Sequence, residues 1–171
     1  MRTLITQARE AADSRSYYLS LFATLALPDI CAAMSSSDGQ TNRTRYIAWF
    51  DENVAPKYTA GPNRAPSLTG ADCYYYLCSI LHQGSSQHPQ SSYSRILFVE
   101  PGVTKNVFHN NVMNDALNLD VRLFCHDVCD GAEKWLFAAE QTPEYQANYG
   151  RFMQRHPNGL PPYIVGVPVI A

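Results

Sequence analysis

The stretch TGADCYYYLCSILHQG, Thr69–Gly84, decides how the rest of the chain is read. Thr69 followed three residues later by Asp72 resembles a capping box, although the usual partner is Glu or Gln. Cys73, Leu77, Ile80 and Leu81 fall broadly on one side at helical spacing. Gly84 is the natural left-handed stop. The stretch therefore predicts a helix from Gly70 to about Gln83. His82 stands in its last turn, where a charged imidazole is favoured by the helix dipole. One turn separates it from Cys78, so the two share a face.

Working outward from that helix, its neighbours are also helical. Residues 4–26 carry Leu4, Ile5, Ala8, Ala12, Leu19, Phe22 and Leu25 on an apolar side, and Ser14–Ser16 can break them into two pieces. Pro28 and Asp29 suit the first turn of a short helix reaching about Ala33. Thr41 or Asn42 caps a third helix, TRYIAWFDENV, with Tyr46, Ile47, Phe50 and Val54 on one side. PKYTAGPNRAPS reads as a loop, and SSQHPQSS as a polar one. The period then changes: SRILFVE, a PG turn and VTKNVFHNN predict a β-hairpin over residues 93–112. From Met113 the positions Leu117, Val121, Phe124, Val128, Ala132, Trp135 and Ala139 advance in steps of three or four, which predicts the longest helix. Thr142 and Pro143 open a last helix carrying Tyr145, Tyr149 and Phe152. The tail over 157–171, PNGLPPYIVGVPVIA, has four prolines and no charged side chain. An end that apolar is expected to pack on the body or on a partner subunit. The fold class is mainly α: one helical-bundle domain over 1–171 with a small β-hairpin inserted before its longest helix.

Composition bounds the function. With 171 residues, 46% of them hydrophobic and 16% charged, the chain has enough apolar material for one real core. A net charge of -2 gives no global attraction to nucleic acid or to an anionic membrane. The first fifteen residues carry charge throughout, and no stretch approaches the roughly 20 apolar residues of a membrane span, so the expectation is a cytoplasmic protein with no membrane partner. Five cysteines without a C-x-x-C pair fit buried reduced thiols.

The segment DCYYYLCSILHQG, flanked by helices, resembles the HEPN family of small nucleotide-binding helical domains. A second likeness is to a group of short bacterial proteins with related LHQG and PYIVGVPVIA segments; it implies no activity. The HEPN resemblance implies a helical bundle, a homodimer and, in active members, a metal-independent ribonuclease of toxin or defence systems. Its motif is an arginine, four to six residues, then a histidine, with the sites of two subunits meeting in a cleft. His82 matches the histidine, and on that resemblance it is the candidate acid/base. The three positions open to the arginine hold Tyr75, Tyr76 and Leu77, none of them cationic at neutral pH. Arg64 and Arg95 flank the helix in sequence and Arg122 lies on the long later helix, so a substitute cation could come from one of them. The expectation is a non-catalytic HEPN-like homodimer that binds nucleotide or RNA. The alternatives are a ribonuclease with His82 as acid/base, or a structural, partner-binding protein.

Further candidate ligand residues are Tyr75 and Tyr76, whose rings could stack bases, and Arg95, which could hold a phosphate. His109 lies in NVFHNNVMND, a cluster rich in Asn and Asp that could hold a ligand but also supplies caps and turns. Cys125 and Cys129, with His126 beside them, have the same one-turn spacing as Cys78 and His82. Two such pairs facing each other would provide four ligands for zinc. In an amphipathic helix the bland reading is small apolar packing, and no bound metal is expected. The chain has no glycine-rich phosphate loop, no G-x-S-x-G, no H-E-x-x-H and no G-x-G-x-x-G, so no cofactor is expected.

Overall fold

The computed structural model describes residues 1–59, 64–102 and 105–171. Part of the expected Pro/Gly loop (60–63) and of the expected hairpin (103–104) lies outside them. Among the described residues six α-helices dominate: α1 Arg2–Asp13, α2 Tyr17–Met34, α3 Arg43–Asn53, α4 Gly70–Gln83, α5 Val121–Ala139 and α6 Pro143–Tyr149. A short 3-10 helix, Ala55–Tyr58, follows α3. The mainly helical class is thus seen directly.

Local chemistry places these boundaries. Arg15, with φ of 63°, turns the chain between α1 and α2, so the break expected at Ser14–Ser16 is real. The Asn42 side chain accepts from Arg45 N at 3.0 Å and starts α3. At α4 both arms of the capping box form, and Gly84 ends the helix with φ of 63°. Thr142 caps α6 by accepting from Tyr145 N at 3.3 Å, with Pro143 as the first helical residue.

Helices α1, α2 and α5 pack on one another, and α3 and α4 extend the layer beside α2. Ile5, Leu25, Leu27, Phe124 and Leu136 are fully buried between them. Each such side chain contributes about 1.5–3 kcal/mol by leaving water. Two glycines let backbones meet: a Cβ on Gly70 would lie 2.6 Å from Ile47 O, and one on Gly131 would lie 2.8 Å from Asn53 O. Helix α3 is therefore approached closely by α4 near its middle and by α5 at its C-terminal end.

Four expectations are corrected. Pro28 does not begin a new helix; it lies inside α2. Proline at 28 leaves the Thr24 carbonyl without its helical donor, and the neighbouring Leu25 carbonyl accepts from the Tyr46 hydroxyl at 3.1 Å. Helix α2 also has the length and apolarity of a membrane span, with a mean hydropathy of 1.4 over 18 residues, contrary to the expectation that no stretch came near. Half of it is buried inside the fold as a core helix. Leu81, expected inward, is 40% exposed.

The fourth correction concerns the β-structure. Strands β1 Arg95–Val99, β2 Asn111–Met113 and β3 Ala116–Asp120 form a sheet of order β1-β3-β2. The hairpin joins β2 to β3, not β1 to the segment after PG. Asn114 and Asp115 both take positive φ, 50° and 60°, as a two-residue primed hairpin turn requires. Strand β1 instead runs parallel to β3, from Arg95 opposite Ala116 to Val99 opposite Asp120. The longest helix consequently starts at Val121, where the Asp120 side chain accepts from Leu123 N at 3.0 Å. All five residues of β3 are buried, as befits a central strand. Phe98 joins the sheet to the helices, its ring 5.2 Å from Tyr76 and 5.1 Å from Phe124.

The tail does not join this sheet. It folds on itself in short antiparallel ribbons, β4 Arg155–His156 with β7 Val169–Ile170, and β5 Gly159–Leu160 with β6 Ile164–Val165. Pro161–Pro168 are exposed throughout.

Candidate functional site

The candidate residues divide between two surfaces. The first is built on α4 by the polar loop after Gly84. That loop is clipped back along the helix at two points: Ser79 Oγ donates to Gln87 O at 3.0 Å, and Ser92 N donates to Asp72 Oδ1 at 2.9 Å. Asp72 therefore serves twice, since its other oxygen accepts from the Thr69 hydroxyl at 2.6 Å. A buried carboxylate that accepts several hydrogen bonds is a strong tether.

The clipped loop lays His88 on Tyr75, ring on ring, 4.5 Å apart and 14° from parallel. Arg43, from the first turn of α3, places its guanidinium carbon 4.8 Å from the centre of the same ring and donates to the Tyr75 hydroxyl. Tyr75 is thus enclosed by a cation and an imidazole and is itself buried. Arg95 opens β1 beside the loop. With the Gln87 amide turned so that its oxygen faces the guanidinium, that oxygen accepts from Arg95 at 2.6 and 2.9 Å. Among the described residues neither Arg43 nor Arg95 has a carboxylate within ion-pair distance.

His82 is exposed in the last turn of α4 and makes no hydrogen bond or ion pair with a described residue. It is seven residues beyond Tyr75, two turns along one face, or about 10 Å of rise. Tyr76 packs on Phe98 and also lines a shallow cleft with His88 and Arg95, and burial pushes its hydroxyl pKa up to about 12. It belongs to the joint between sheet and helices. Thus Tyr75 gathers Arg43 and His88 around its ring. Arg95 shares a shallow cleft with His88 and Tyr76, and His82 lies two helical turns along α4 from Tyr75. Sequence reasoning missed Arg43 and His88. His88 lay in a stretch read only as polar loop, and Arg43 sits on a different helix with no local signal connecting it to Tyr75.

The second surface holds His109. Its Nε2 lies 3.7 Å from Asp127, its ring is 5.6 Å from Tyr58, and its buried Nδ1 has no hydrogen-bond partner among the described residues. Among the described residues no hydrogen bond, ion pair or ring contact links His109 to Tyr75, Tyr76 or Arg95. It stands at one end of a belt of ion pairs across α5. Lys57 meets Asp127 at 2.8 Å and Asp130 at 2.6 Å. Arg9 meets Asp130 at 2.9 Å and Glu133 at 3.0 Å. Asp13 takes both Arg122 at 2.7 Å and His126 at 2.9 Å. Burial by itself would raise the pKa of Asp127, but His109, Lys57 and Tyr58 outweigh it and hold the carboxyl below its ordinary range. Arg122, one of the possible substitute cations, is therefore committed to Asp13.

The cysteines do not converge. Cys125 and Cys129 are buried in α5; Cys125 accepts from the Thr24 hydroxyl and Cys129 donates to Ile5 O. Burial raises both thiols, Cys129 to about 12, so neither is a ready thiolate. His126 faces Asp13 and Arg9, not sulfur. Among the described residues no group of three or more His, Cys, Asp or Glu is placed to hold a metal ion. No protein-family profile, curated protein or solved structure matches this chain.

Proposed function

We propose that this chain is a HEPN-like helical module that binds a phosphate-bearing ligand, a nucleotide or an RNA segment, over the surface of Arg43, Tyr75, His88, Arg95 and His82, without turning it over. One observation carries the reading. Tyr75 occupies a position that the resembled motif reserves for arginine, and the Arg43 guanidinium lies on that tyrosine. A cation from α3 thus stands in for the one the motif lacks. Arg43 and Arg95 each rest on neutral partners, which leaves their charge for an anion. The 10 Å or so of helix between Tyr75 and His82 suits a ligand longer than one phosphate group.

The module acts as a cytoplasmic homodimer. Support for the dimer is the exposed apolar run Pro161–Pro168, in which Tyr163 is 84% and Val165 70% exposed. Light scattering on the full chain and on a chain ending at Leu160 tests it; a monodisperse full-length monomer refutes it.

The binding test is fluorescence anisotropy with a labelled 12-nucleotide RNA, followed by a denaturing gel of the same samples. Saturable binding with intact RNA is expected, weakened at least about tenfold by Arg43→Ala with Arg95→Ala. Binding unmoved by that double substitution rejects the surface. RNA cleavage that disappears in His82→Ala would replace this reading with the ribonuclease one.

A further inference from the structure

A cleft of about 540 Å³ opens between the start of α1, the end of α2, α6 and the tail. Its size falls within the roughly 300–1,000 Å³ of small-molecule sites. Leu4, Ile30, Met34, Phe152 and Ile170 give it an apolar lining. The rings of Tyr149 and Phe152 are stacked along it, 6.4 Å apart and 13° from parallel. Two arginines, Arg151 and Arg155, also line it, and no Asp or Glu does.

Arg151 is held in place by its surroundings. Asn148, 5% exposed, donates its amide to the carbonyls of Ala33 at 3.3 Å, Met34 at 3.2 Å and Ser36 at 2.7 Å. Its Oδ1 is thereby turned outward and accepts from Arg151 Nη2 at 2.5 Å. The guanidinium lies over Gly39, where a Cβ would stand 2.1 Å from Nη2. A buried amide and a bare backbone turn thus hold this cation at the cleft. Among the described residues neither Arg151 nor Arg155 has a carboxylate partner.

We infer that the cleft between α1, α2, α6 and the tail binds a single-chain anionic amphiphile, with the chain on the apolar lining and a carboxylate or phosphate head at Arg151 and Arg155. A wholly apolar ligand would leave two guanidiniums beside it unused, and a small inorganic anion would leave the lining wet. The inference does not depend on the α4 surface.

The test is isothermal titration of the full chain with decanoate, decyl phosphate, 1-decanol and butyrate. Decanoate or decyl phosphate should bind saturably, and the tighter of the two identifies the head group. 1-Decanol and butyrate should each bind at least about tenfold more weakly than the preferred anion, each lacking one half of the recognition. Arg151→Gln with Arg155→Gln keeps an amide donor for Asn148, and it should bring the anions down to the level of 1-decanol. Ala33→Phe, which adds bulk to the α2 wall of the cleft and leaves both arginines in the chain, should abolish binding of all three decyl compounds. Equal affinity for decanoate, decyl phosphate and 1-decanol, or saturable binding that survives Ala33→Phe, overturns the inference. So does absence of saturable binding to a chain whose circular dichroism and melting are normal.

Discussion

The belt across α5 and the surface on α4 are both rich in cations, but they use them differently. On the belt, Arg9, Lys57 and Arg122 each close onto a carboxylate within 3 Å. On the α4 surface, Arg43 and Arg95 rest on a phenol ring and an amide oxygen. A paired charge holds helices in register and has little left for a visitor. A charge lying on a neutral group is oriented without being neutralised. The distribution of partners, more than the number of arginines, is what distinguishes the two surfaces.

The largest test of that contrast is Asp72→Ala. It removes a helix cap and the anchor of Ser92 N at once, and the two losses together should cost about 3 kcal/mol in urea unfolding. The loop carrying His88 should also lose protection from hydrogen exchange. Stability within 0.5 kcal/mol or so of the parent would mean that the loop is not held from α4.

Next comes the contrast itself. Arg43→Ala should weaken RNA binding about tenfold and lower the salt slope by about one, whereas Arg9→Ala should leave both unchanged. Arg9→Ala should instead cost no more than about 1 kcal/mol of stability, as partly exposed pairs do. If the two variants bind RNA alike, the division between the surfaces is broken.

Smaller again is a pH effect on the belt. Asp127 and Asp130 have pKa values held below the ordinary carboxylate value of about 3.8. A carboxyl with a depressed pKa in the folded state contributes stability that is fully present above its unfolded pKa. That contribution is lost as pH falls through the lower folded value. Unfolding free energy should therefore decline as pH drops from about 5 toward 2, and Asp127→Asn should make the decline shallower by up to about 1 kcal/mol. An unchanged slope in Asp127→Asn would show that the ion pairs there are idle.

The smallest effect concerns His82, which makes no hydrogen bond or ion pair with a described residue. His82→Ala should change stability by less than about 0.5 kcal/mol and still reduce RNA binding measurably. A large loss of stability would make it a structural terminus.

The sequence made α4 legible because every signal there is local. Thr69, Asp72 and Gly84 act within one turn of the backbone they satisfy, so spacing alone identifies them. The segment 111–120 misleads for the opposite reason. Leu117, Val121 and Phe124 happen to fall at helical steps, yet Leu117 and Leu119 also alternate. What selects the strand is the pairing of Ala116–Asp120 with residues near 97, which no window of ten residues contains. The Asn114–Asp115 turn was the available sign, since both residue types tolerate positive φ. The candidate site divides in the same way. Tyr75 and His82 share a helix face and could be associated from spacing. Arg43 reaches Tyr75 only because α3 crosses α4, and that is tertiary information.

The crossing depends on two missing methyl groups. Gly70 and Gly131 meet the main chain of α3 near its middle and at its far end, where a side chain on either would collide with a carbonyl. Arg43 projects from the opposite end of that rod, so a displacement of about one ångström at Gly131 would swing its tip like the end of a lever. The aim of a surface cation is thus set at a residue it never touches. A Gly131→Ala chain could keep its helix content and still misdirect Arg43.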